Sequence, residues 1–248
     1  MRKWMIPKKY FKILFITLFW LAVIAEGYFL YTRQYNLRLL SRTFFMPLLI
    51  LTFLLQIISR NHLLLLGAAI FGWLGDVLTI QWNQQLQWYG FAAYGIHLLV
   101  YVWLFLRFQK FTWRTAWFPV LFWSIVYLIF VGIIHYVVGY RIDLVSKIAV
   151  AAFGFVVCLY AVTAFQSGIF YKEYSFNFAI AASLAVVIAL SLFVFNTFYF
   201  KRLQTWPDVL TATLYALANW LIIKRVMNIE RQILHKADMK DLSEFAEE

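Results

Sequence analysis

Apolar stretches of about 17 to 25 residues, the length a helix needs to cross a hydrocarbon layer roughly 30 Å thick, recur eight times along this chain of 248 residues. They cover approximately 11–31, 43–59, 62–80, 88–107, 115–138, 144–165, 176–200 and 207–226. No soluble core could absorb them, because 64% of the residues are hydrophobic and only 13% are charged. Outer-membrane strands would alternate polar and apolar positions over about ten residues, whereas these runs are continuous. The expected fold class is therefore all-α, a polytopic membrane bundle of about eight transmembrane helices. The short connections make 1–227 one transmembrane domain and leave 228–248 as a charged tail.

Most of the 22 lysines and arginines fall on the side of the amino terminus, so the positive-inside rule predicts that both termini are cytoplasmic. Arg2, Lys3, Lys8, Lys9 and Lys12 precede the first apolar run without a small-residue cleavage pattern, and this segment reads as a retained span. The first outer loop is the exception to the charge rule, with Arg33, Arg38 and Arg42 and no acid. Guanidinium groups in such a place suit a phosphate, which Arg can bind bidentately. The net charge of +11 favours contact with anionic lipid surfaces. The basic residues are spread over loops on both sides and form no stripe for nucleic acid, so membrane lipids are expected as partners and nucleic acid is not. A single cysteine, Cys158, supplies neither a disulfide nor a metal cluster, and no metal or cofactor is expected.

Ionisable groups inside apolar runs are unfavourable by about 2.5 kcal/mol or more on insertion scales, so they tend to be paired or functional. Asp76 lies four residues from the outer end of the third run, and Glu26 five from the outer end of the first. At about 1.5 Å per helical residue both sit roughly 6 to 8 Å below the surface. His97 is deeper, and its spacing from Tyr94 and Tyr101 puts all three on one face of the fourth helix. Two carboxylates and an imidazole are thus expected to converge in the outer half. The chain has no Gly-x-Ser-x-Gly elbow, no His-Glu-x-x-His, no phosphate-binding glycine loop and no Cys-x-x-Cys pair. If it is an enzyme, carboxylate or imidazole acid–base chemistry leads.

Five segments, in order, resemble the motifs of the YhhN family of eight-span membrane proteins. They are SRTFFMPLLIL from Ser41, FGWLGDVL from Phe71, FAAYGIHLLVY from Phe91, LFVFNTF from Leu192 and LYALANWLI from Leu214. Arg42 stands where the family has Lys, Thr43 where it has Pro, and Asn219 where Gln is usual. The resemblance implies a lysoplasmalogenase: a membrane hydrolase that cleaves the vinyl ether bond of a lysophospholipid to a fatty aldehyde and a glycerophospho-alcohol. Asp76 and His97 are the expected catalytic residues, Glu26 joins them on its estimated depth alone, and Arg42, Tyr101 and Asn196 are expected to bind substrate, with Arg42 on the headgroup phosphate. A bacterial inner membrane fits the short loops. One departure stands out, since register from Asn196 puts Leu190 where the seventh span of the family carries its second aspartate. Glu26 is the candidate substitute. The alternatives are an inactive lysolipid-binding relative and a small proton-coupled transporter, though no helix broken by paired Gly and Pro supports transport.

Overall fold

In lipid the backbone polar groups of a continuous apolar run have only one another as partners, and a helix satisfies them within the segment. The computed structural model describes residues 5–54, 60–79, 84–108, 113–133, 135–136, 143–170, 176–198 and 205–246. Among them stand eight long helices: α1 Met5–Tyr31, α2 Tyr35–Leu54, α3 Arg60–Thr79, α4 Gln84–Phe108, α5 Trp113–Ile133, α6 Leu144–Phe170, α7 Phe176–Phe198 and α8 Thr205–Ala246. The described residues give five helices long and apolar enough to cross a membrane, within α1, α4, α5, α6 and α8, and two shorter apolar ones, Leu63–Thr79 and Ile180–Asn196. The all-α membrane bundle is thereby borne out.

Helix α2 corrects the expected span. It begins at Tyr35, eight residues before the predicted start at 43, so Arg38 and Arg42 lie one turn apart on a helix and not in a loop. The corner before it is tight. Gln34 N–H donates to Phe29 O at 2.9 Å and Arg33 N–H to Leu30 O at 3.2 Å, which is the paired-bond helix stop of a Schellman motif. Arg33 occupies its left-handed position with φ 58°.

Sequence neighbours run antiparallel. Phe19 packs on Phe45 while Ser41 bonds Glu26 farther along, and Cys158 reaches Trp123 O while Tyr127 reaches Ala151 O. The connections α1–α2, α3–α4, α5–α6 and α7–α8 therefore share one end of the bundle, the distal end, away from the termini. Helices α3 and α4 approach closely because glycines face the neighbouring side chains. A Cβ on Gly75 would lie 2.5 Å from the Tyr94 ring, one on Gly90 2.6 Å from Thr79, and one on Gly72 3.0 Å from His97. Phe91 of α4 packs on Phe153 of α6 and Phe193 of α7, at 5.4 and 5.0 Å between centroids. Helix α8 continues without a break through most of the charged tail, 42 residues in all.

Candidate functional site

The polar residues of the distal half meet between α1, α2, α3, α4, α7 and α8. Asp76 is fully buried on α3. Its Oδ1 accepts from Tyr94 Oη at 2.8 Å and from Arg42 Nε at 3.2 Å. Arg42 Nη2 also donates to Tyr94 Oη at 3.1 Å, and its Nη1 lies 3.9 Å from Glu26 Oε1. The same Glu26 oxygen accepts from Arg38 Nε at 3.3 Å, and Oε2 accepts from Ser41 Oγ at 3.1 Å. Arg38 Nη2 then reaches Asp208 Oδ2 at 3.3 Å, and Asn196 Nδ2 donates to Asp208 Oδ1 at 2.7 Å.

Carboxylate and guanidinium thus alternate in the order Asp76, Arg42, Glu26, Arg38, Asp208. The four- and three-residue spacings of α2 point Arg38, Ser41 and Arg42 the same way. Trp73 Nε1 donates to Thr43 O at 3.0 Å and fixes α3 against this face. Removing one partner of a buried pair leaves the other charge uncompensated, which costs about 3 to 5 kcal/mol. The alternation therefore sets the register of the helices that carry it. With every member ionised the row carries one net negative charge, from three carboxylates and two guanidiniums.

One oxygen is left over. Asp76 Oδ2 is buried without a hydrogen-bond partner among the described residues. The ring of Tyr215 on α8 stands edge-on to Tyr94 at 5.2 Å between centroids.

His97 belongs to a second, uncharged network one turn deeper. Its Nδ1 is 2.6 Å from Ala68 O. A carbonyl only accepts, so this nitrogen carries the proton and Nε2 is the acceptor. The Asn219 side chain donates from Nδ2 to Tyr215 O at 2.9 Å, while its Oδ1 accepts from Tyr101 Oη at 3.0 Å. The His97 and Tyr101 rings meet at 4.5 Å.

The structure thus brings Glu26, Arg42, Asp76 and Asn196 into one row and places His97 and Tyr101 beside it in another. Arg42 is buried and engaged with Asp76, Tyr94 and Glu26, not held out at a surface. Sequence reasoning missed Asp208 and put Arg38 in an outer loop at the membrane surface. The signal for Asp208 was there, an acid in the first turn of α8 right after Pro207. Leu190 faces elsewhere, lining an apolar crevice between α5, α6 and α7.

Residues 37–226 match the YhhN family. No curated protein and no solved structure matches the chain.

Proposed function

Because the chain belongs to the YhhN family, we propose that it is a lysoplasmalogenase-like hydrolase acting on the vinyl ether bond of a single-chain ether phospholipid. The observation that carries this reading is Asp76 Oδ2, a buried carboxylate oxygen without a partner in a row with one surplus negative charge. One added proton makes the row neutral, the state that burial in a low dielectric favours. Tyr94 and Arg42 both occupy Oδ1, which leaves Oδ2 as the place for that proton.

A vinyl ether asks for such an acid. Asp76 gives its proton to the β-carbon of the double bond, whose π electrons form the new C–H bond. Positive charge develops on the α-carbon and ether oxygen, beside the carboxylate just formed, which stabilises it. Water adds to the α-carbon and returns a proton to Asp76. The hemiacetal then collapses to the aldehyde and the glycerol hydroxyl. Arg42 and Tyr94 orient Asp76; Glu26, Arg38, Asp208 and Asn196 hold the charge balance; His97 and Tyr101 position α4.

The test is aldehyde release from a vinyl-ether lysolipid by the purified protein. Loss of a general acid removes about 10²- to 10⁴-fold of rate, so Asp76→Asn should fall by that factor while remaining folded. Equal rates for the two proteins would end the proposal. Leu190 favours a second reading, a relative that binds lysolipid without cleaving it, since that position offers an apolar wall where the family carries an acid. Saturable binding of the vinyl-ether lipid with no aldehyde from the wild-type chain would select it.

A further inference from the structure

An apolar feature lies away from the charged row, among α5, α6 and α7. Between α5, α6 and α7 an open apolar crevice has Cys158 and Leu190 in its walls. A groove of about 260 Å³ lies between α5 and α6 toward the distal end, with His135 and Lys147 in its lining. Phe130 lines both, so they form one seam. The wall formed by Phe153 separates it from Phe91 and the helix that carries Tyr94.

The seam has the polarity and length of one lipid. Lys147 and His135 stand at its distal mouth and are the basic side chains in its lining among the described residues. The nearest acid along α6, Asp143, is committed to the helix start, where its Oδ2 accepts from Val145 N at 3.1 Å and Ser146 N at 3.3 Å. From Leu144 to Cys158 the helix advances about 21 Å at 1.5 Å per residue, which is half of a bilayer about 40 to 45 Å thick with its headgroups. A headgroup at Lys147 thus puts its chain in the crevice beside Cys158.

We propose that this seam is a binding site for one anionic phospholipid of the distal leaflet, its phosphate on Lys147 and His135 and one acyl chain in the crevice. The site is separate from the Asp76 row, and the proposal does not depend on what that row does.

Native mass spectrometry of the full chain in detergent, titrated with dioleoyl phosphatidylglycerol or dioleoyl phosphatidylcholine, tests it. One basic residue near a headgroup should favour the anionic lipid about fivefold, so one phosphatidylglycerol is expected to stay bound at correspondingly lower concentration. Lys147→Gln should erase the difference between the lipids, and Lys147→Arg should keep it. Val126→Trp, which fills the crevice from its half-buried α5 wall, should weaken retention of both lipids. Equal retention of the two lipids by the wild-type chain would overturn the proposal, as would full retention by Val126→Trp. Displacement of phosphatidylglycerol by inorganic phosphate would show a free-anion site in its place.

Discussion

Substituting Gly75 by alanine adds one methyl group at the closest approach of α3 and α4. Its Cβ would stand 2.5, 2.7 and 2.9 Å from three carbons of the Tyr94 ring. Carbon atoms rest at about 3.5 to 4.0 Å, so the ring or the helix must give way by about 1 Å. Overpacking of this kind costs about 1 to 3 kcal/mol. The same displacement takes Tyr94 Oη from 2.8 Å to beyond bonding range of Asp76, and a side-chain hydrogen bond inside a membrane bundle is worth about 0.6 to 1.7 kcal/mol. Replacing Gly by Ala within a helix returns about 1 kcal/mol. The net expectation is a destabilisation of about 1 to 4 kcal/mol. Gly67→Ala is the matched control on the same helix, because nothing lies within 4 Å of its added Cβ, and it should stabilise by about 0.5 to 1 kcal/mol. Thermal or denaturant unfolding of the two variants in one detergent gives opposite signs if the contact is as described. A Gly75→Ala protein as stable as Gly67→Ala would refute the reasoning.

Arg33→Gly should raise the unfolding temperature, since an L-residue in the left-handed region costs about 1 to 2 kcal/mol that glycine avoids. Glu26→Gln makes the row neutral without an added proton. Aldehyde release at neutral pH should then fall about ten- to a hundredfold and recover in more acid buffer; an unchanged pH–rate profile would count against the surplus-charge account. Asp143→Ala concerns the start of α6, where the Ser146 hydroxyl, and then backbone N–H groups, hold the ionised carboxylate below the usual range. A depressed folded value means stabilisation present above the unfolded value near pH 3.9 and lost as pH falls through the folded one. The variant should therefore melt earlier than wild type at pH 7, with the gap closing in acid.

Hydropathy revealed the helices and set Asp76, Glu26 and His97 inside them, because those signals are local. It misplaced the start of α2 because Arg38 and Arg42 depress any window that contains them. Their neutralising partners lie far along the chain, Asp208 being 170 residues from Arg38. The partner of His97 was hidden for another reason: a backbone carbonyl, Ala68 O, beside the gap left by Gly72. Asp76 and His97 therefore read as one group in the sequence and stand in two networks in the fold.

The tight corner between α1 and α2 bears on how the chain is made. Arginine raises the free energy of inserting an isolated helix by about 2.5 to 3.5 kcal/mol at its centre and less toward its ends, and α2 carries two of them. Joined to α1 by so short a link, it holds Arg38 and Arg42 against Glu26 without the help of a later helix. The pair is thus built to partition into lipid as a hairpin. In a translocon insertion assay α2 alone should stay out, α1–α2 should go in, and Glu26→Leu should send the second helix back into water.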